Sequence, residues 1–249
     1  MSKNFEVPPQ QLVQAQGLAP AGEECANPSL PGGGKDGFAR IAQFDLESAT
    51  AKDYLRFAGR LALGWGEESH VIIAFAGVEY GVTASKFCVR FSEALAALPR
   101  TSVCLVDAYW HSPLLSEIFD LGRPCGLTDA LHMGGGIKDF TVPVGVGNLW
   151  LLSWGSFGTE SIALLDQETM AKRFAELRAE FEFVLVNVPP LGPSADALAM
   201  LCLVDGVVPV IERGAGEPRV ALRVTEELRA ARVRVLGAIV AERAKRSPD

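Results

Sequence analysis

The residues of this chain that could do chemistry follow directly on short apolar runs. After Val71-Ile72-Ile73-Ala74-Phe75 comes Ala76-Gly77-Val78-Glu79-Tyr80-Gly81-Val82-Thr83, leading into a helical pattern. A turn of this kind can cradle phosphate with its backbone N–H groups and the start of the following helix. A working phosphate loop ends Gly-Lys-Ser/Thr. Gly77, Gly81 and Thr83 are in place here, but Val82 stands at the lysine position and Glu79 adds a negative charge. Taken alone, the stretch is an ordinary strand-to-helix turn. Gly34-Lys35 imitates the end of such a loop, yet Ser29 replaces its first glycine, Asp36 follows the lysine, and no strand precedes it. His70, His111 and His132 share no metal-ligand spacing, and Ser153-Trp154-Gly155-Ser156 lacks the G-x-S-x-G elbow of a serine nucleophile.

The elements that would position these residues alternate. Buried strands are expected at 71–76, 103–106, 149–152, 183–188, 207–211 and 235–240, each a near-continuous apolar run. Ala84, Phe87, Cys88, Phe91, Ala94, Leu95 and Leu98 recur at three- and four-residue steps, which predicts an amphipathic helix. Further helices are expected over 48–63, 160–180, 195–203 and 218–231. This alternation implies an α/β fold, a doubly wound and mostly parallel sheet with helices on both faces. In such a sheet the ligand crevice lies beyond the carboxyl ends of the strands, so Gly77, Gly81, Asp107 and Asn187 are expected to gather there. Residues 1–40 are rich in proline, glycine and glutamine without apolar periodicity and are expected to form a disordered arm. The folded domain is then 41–249.

Composition narrows the function. The chain has 249 residues, 49% of them hydrophobic, which is enough for one large core. Its formal charge of −7 argues against non-specific grip on nucleic acid or anionic lipid. No apolar run approaches the ~20 residues of a membrane helix. The five cysteines are scattered without a C-x-x-C pair, and a reduced, metal-free protein is expected.

The strand ends also carry an ordered set of motifs. They are the turn at 76–83, then Leu105-Val106-Asp107-Ala108-Tyr109-Trp110-His111-Ser112-Pro113, and Gly126-Leu127-Thr128-Asp129-Ala130-Leu131. Val184-Leu185-Val186-Asn187-Val188-Pro189-Pro190 and Gly237-Ala238-Ile239-Val240-Ala241 complete the set. From about residue 49 to 243 this order resembles the cytoplasmic kinase domain of the bacterial tyrosine kinases (BY-kinases). That capsular exopolysaccharide family belongs to the MinD/ParA-like P-loop proteins. The resemblance implies a nucleotide site at Gly77, Gly81, Thr83 and Asp107. It also shows where the chain departs. Val82 replaces the phosphate-neutralising lysine, Tyr109 an Asp of the activating chemistry, and Asn187 the Asp that organises Mg²⁺. Ala241 replaces an Asn near adenine. Lys86, one turn on, could repair one loss but not four.

Further expectations follow from the resemblance. Family kinases end in a tyrosine cluster, whereas this chain has only Tyr54, Tyr80 and Tyr109. Their assembly motif E-x-x-R-x-x-R is partly kept as Asp53, Arg56 and Arg60, with Arg60 one residue late. The expected function is that of a pseudokinase-like regulatory or scaffolding protein in exopolysaccharide or capsule biosynthesis and export. Its expected partners are the cytoplasmic part of a membrane polysaccharide co-polymerase, a related kinase domain, or a second copy of itself, with no nucleic acid. Through such a partner a cytoplasmic protein would sit at the inner face of the plasma membrane. No cofactor is expected, though weak ATP or ADP binding is compatible with the loop. The alternative is an active tyrosine autokinase or partitioning-type ATPase with an atypical site.

Overall fold

The structure, a computed structural model, describes residues 52–59, 70–110, 114–122, 124–145, 147–156, 167–191, 195–213 and 218–242. The expected arm at 1–40, the rejected Gly34-Lys35, His111 and Arg60 lie outside these residues. The expected first helix is described over 52–59, all of it helical, and is called α1.

From there strands and helices alternate as β1 (Val71–Gly77), α2 (Thr83–Ala96), β2 (Val103–Asp107), α3 (Leu115–Ile118) and α4 (Leu127–His132). A 3₁₀ turn (Ile137–Phe140) precedes β3 (Val142–Pro143) and β4 (Leu149–Leu152). Then come α5 (Gln167–Glu180), β5 (Phe183–Val188), α6 (Ala195–Leu201), β6 (Gly206–Arg213), α7 (Pro218–Ala230) and β7 (Ile239–Glu242). Among the described residues the strands form one seven-stranded sheet in the order β3-β4-β2-β5-β1-β6-β7. All neighbours are parallel except β3, which pairs antiparallel to β4 at one edge.

Side chains alternate across β1 and feed two cores. Ile72, Ala74 and Ala76 pack with Phe174 and Leu177 of α5, Met200 of α6, and Val224 and Leu228 of α7. Val71, Ile73 and Phe75 pack with Cys88, Phe91 and Leu95 of α2 and with Ala58 of α1. Both faces of the central strands are therefore covered, which is why their sequences are apolar at nearly every position. Adjacent strands β1 and β5 send their following helices, α2 and α6, to opposite faces. That divergence opens a crevice at their carboxyl ends.

At the opposite end, Arg178 of α5 ties down the start of β1. Its guanidinium holds Asp205 with two bonds of 2.8 and 3.0 Å, and Asp205 in turn accepts the N–H of Ile72 at 2.7 Å.

Three details differ from the sequence reading. β3 was not anticipated, because two residues ending in proline carry no periodicity. The last strand was expected to start at Val235, but β7 starts at Ile239. Val235 bridges Val207 while Ile239 pairs with Val210, so four steps on one chain run against three on the other. The extra residue is a bulge, which interrupts the ladder. Among the cysteines, Cys88 and Cys104 are free and buried, as small hydrophobes should be. Cys125 is disulfide-bonded, which corrects the expectation of a wholly reduced chain. Spacing along a sequence does not limit which thiols folding brings together.

Candidate functional site

β1 delivers Gly77 to the centre of the sheet's carboxyl edge, between β5 and β6. Its carbonyl accepts the N–H of Leu191, just after Pro189-Pro190, at 2.9 Å. A Cβ at Gly77 would lie 2.7 Å from the Glu79 carbonyl oxygen, so the turn closes only over glycine. The N–H of Val78 is committed to the Val210 carbonyl at 3.0 Å, which pins the turn to β6.

α2 then begins at Thr83. Its N-cap is Val82, which offers no side-chain hydrogen bond, and no acidic residue stands in its first turn. The Val82 side chain is 42% exposed at the mouth of the crevice, beside the more exposed Tyr80. Besides Glu79 of the turn itself, a carboxylate from β6 meets the loop at the start of α2. Glu212 Oε1 accepts a hydrogen bond from the Thr83 hydroxyl, and a Cβ at Gly81 would lie 3.3 Å from the same oxygen.

Asp107 ends β2, and Asn187, next to last in β5, pairs with it in direct register. Both are 0% exposed. Asn187 Nδ2 donates to Asp107 Oδ1 at 3.1 Å, and the Asp107 carboxylate also accepts the N–H groups of Leu115 at 3.1 Å and Tyr109 at 3.3 Å. Burial pushes the Asp107 carboxyl up to about 6, against the opposing pull of these hydrogen bonds. Asn187 Oδ1 is buried without a partner among the described residues.

Of the residues expected to gather, the sheet order and register bring Gly77, Asp107 and Asn187 to the carboxyl ends of adjacent strands, while Gly81, in the turn after β1, lies with Thr83 against Glu212 of β6. Tyr109 is buried beside Asp107, and burial raises its hydroxyl pKa. Ala241 lies within β7, not after it, and Lys86 is exposed one turn along α2.

The other candidates have structural partners. His70 donates Nδ1–H to the Phe181 carbonyl and His132 to that of Thr128. Ser153 Oγ donates to the carbonyls of Pro124 and Cys125, and Ser156 N–H to Asp129. No group of three or more potential metal-ligating side chains occurs among the described residues.

On α1, Asp53 and Arg56 are exposed and 3.7 Å apart. The neighbouring Tyr54 and Phe57 pack inward on Phe87 and Phe91, with ring centroids 4.7 and 5.1 Å apart. Their apolar area therefore joins α1 to α2 within the domain. The residue that sequence reasoning missed is Glu212, because only the sheet order reveals that β6 lies beside β1.

No protein-family model matches the chain. It is 27% identical over 167 residues to tyrosine-protein kinase YwqD of Bacillus subtilis, covering 67% of this chain and 68% of that protein. It is 22% identical to tyrosine-protein kinase CpsD of Streptococcus agalactiae, over 80% of this chain and 87% of that one. Among solved structures, the kinase domain of Escherichia coli tyrosine kinase ETK superposes with a TM-score of 0.69 at 20% identity, over 83% of this chain and 81% of that one. MinD of Pyrococcus horikoshii, complexed with Mg-ADP, reaches 0.60 at 20% identity over 71% and 72%. These likenesses establish the fold, and with the two sequence relatives they support one conclusion. The chain is similar in sequence to bacterial tyrosine-protein kinases and has the fold shared by their kinase domains and by MinD.

Proposed function

We propose that this chain is a catalytically silent member of that group, a pseudokinase-like regulatory or scaffolding protein in exopolysaccharide or capsule biosynthesis and export. The observation that carries the proposal is the state of the charges at the strand ends. Phosphoryl transfer depends almost wholly on cations and carboxylates placed around the phosphates and Mg²⁺. Here the lysine position carries Val82, open to solvent, and the Asp107 carboxylate is buried against the neutral amide of Asn187. Neither arrangement offers the preorganised charge that lowers such a barrier.

Purified protein is expected to turn over no ATP and to phosphorylate none of its tyrosines above background. Val82→Lys alone is expected to stay inactive, since Asn187 and Tyr109 remain. Sustained ATP hydrolysis that disappears in Thr83→Ala would overturn the proposal and restore the autokinase or ATPase reading.

What remains for such a domain is binding. By analogy with the kinases it resembles, its partner is the cytoplasmic part of a polysaccharide co-polymerase, a related kinase domain, or a second copy. No helix among the described residues is long and apolar enough to cross a membrane. The assembly surface we assign includes Asp53 and Arg56, with Arg60 beyond the described residues. With Tyr54 and Phe57 turned inward, this surface is polar, and an exposed ion pair across it contributes only about 1 kcal/mol or less. Arg56→Glu is expected to weaken association about fivefold while leaving the thermal midpoint unchanged. Analytical ultracentrifugation and pull-down on the co-polymerase's cytoplasmic segment read both. Unchanged association by both methods would move the binding surface off α1.

A further inference from the structure

We infer that Glu212 is a built-in anion for the phosphate loop: its carboxylate occupies the seat of a nucleotide phosphate and must be displaced before any phosphate can bind. The inference rests on the reading of the β1–α2 turn as a phosphate loop, whether or not the domain is catalytic.

The geometry has three parts. First, α2 is a 14-residue helix whose positive end points at the loop, with no acid in its first turn and no side-chain cap. The first N–H groups of such a helix lack intrahelical acceptors and attract an anion. Second, Glu212 comes from a neighbouring strand, 129 residues along the chain, and reaches over the loop to take the Thr83 hydroxyl. In a working loop that hydroxyl is directed at Mg²⁺. Third, the same oxygen stands 3.3 Å from where a Cβ on Gly81 would be. Gly81 is the loop position where a bare backbone allows phosphate to come close, and the carboxylate takes that space. Two anions do not share one such seat, because like charges at contact distance repel strongly.

The arrangement also gives Val82 a meaning. A lysine there would neutralise Glu212 or a phosphate equally. With valine, no cation at the helix start competes for Glu212, and the Thr83 hydroxyl holds the anion that the domain itself supplies. The loop is closed by an internal competitor, and Glu212 sets its affinity for phosphate compounds.

The test is binding, not turnover, so it separates from the proposed loss of catalysis. Wild type, Glu212→Gln and Glu212→Ala, each as the full chain, are titrated with a fluorescent ADP analogue and Mg²⁺, and with inorganic phosphate as competitor. Glu212→Ala clears the seat and is expected to bind the analogue at least about tenfold more tightly than wild type. Glu212→Gln removes the charge but leaves the bulk, and is expected to fall between them. Thermal unfolding checks that each variant is folded. Should the alanine variant fail to fold, the near-isosteric glutamine variant carries the test alone. Equal affinity in all the folded proteins, including no binding by any of them, overturns the inference.

Discussion

Gly126→Ala is expected to lower folding stability by about 3 kcal/mol or more, and the thermal midpoint by about 6–12 °C. Gly126 sits at the N-terminus of α4, bridged in parallel to Ser153 at the end of β4. A Cβ there would overlap the Ser153 carbonyl oxygen and hydroxyl and come within 2.6 Å of the Gly155 amide nitrogen. Two of those atoms are backbone, fixed by the hydrogen bonds from Leu127 N to Ser153 O at 2.8 Å and from Thr128 N to Trp154 O at 2.9 Å. No rotamer change relieves such contacts. Gly134→Ala is the control, since nothing lies within 4 Å of its added carbon, and it should change stability by less than about 0.5 kcal/mol. Urea unfolding of both variants decides the matter. Equal midpoints would show that β4 and α4 separate readily, so that the packing around Gly126 adds little.

The same corner explains a motif that sequence comparison leaves without a role. In Gly126-Leu127-Thr128-Asp129-Ala130-Leu131 the carboxylate of Asp129 accepts the N–H of Gly126 at 2.8 Å and that of Ser156 at 2.9 Å. It caps the start of α4 and clasps the loop after β4. The motif therefore holds architecture, and it is intact. On the proposed function, Val82 and Asn187 stand where phosphoryl transfer would call for charge. On that reading fold and chemistry have separate residues, so one can be kept while the other goes.

The sheet was legible in the sequence because its central strands are buried on both faces. β1, β2, β4 and β5 read as unbroken apolar runs, and α2 showed its period through Phe87, Cys88, Phe91 and Leu95. The crevice was legible too, since every parallel strand ends on the same edge. What stayed hidden depends on neighbours in space. Glu212 follows an apolar run like any strand-ending acid; its meaning comes from β6 lying beside β1. Tyr54 and Phe57 have a helical spacing that fits a partner as well as an internal face, and only their contacts with Phe87 and Phe91 decide between them. The bulge before β7 has no sequence mark at all, because an extra residue in a ladder is defined by the strand opposite.

Asn187→Asp is expected to lower stability by about 3–5 kcal/mol at neutral pH and to recover most of it in acid. The substitution places a second carboxyl about where Asn187 Nδ2 now donates to Asp107 Oδ1 at 3.1 Å, in a fully buried site. Asp107 alone is already pushed from 3.8 up to about 6 by burial. In the folded state it thus holds its proton more tightly than in the unfolded chain. Between those two values the native state binds more protons, so this group's contribution to stability falls as pH rises. The penalty is absent below about pH 4 and complete above about pH 6, where it amounts to about 3 kcal/mol before relaxation. A second acid alongside strengthens the effect, because two adjacent buried carboxyls cannot both ionise and the shared proton is held to still higher pH. Asp107→Asn should do the reverse. It removes the charge, and turning the Asn187 amide over lets its unpartnered Oδ1 accept from the new amide. The cost is the long bond from Tyr109 N, together with the Asn187 Nδ2 that the turned amide leaves in the unpartnered position. That variant is expected to be about 1–2 kcal/mol more stable than wild type at pH 7.5 and, with the penalty gone but the hydrogen-bond cost kept, about 1–2 kcal/mol less stable near pH 4. Urea unfolding of the three proteins at both pH values is the measurement, and differences between variant and wild type cancel the groups they share. A deficit for Asn187→Asp that is the same at pH 4 and pH 7.5 would mean that the ends of β2 and β5 admit water. The Asp107–Asn187 contact would then be no barrier to Mg²⁺, and the case for a silent site would lose its main support.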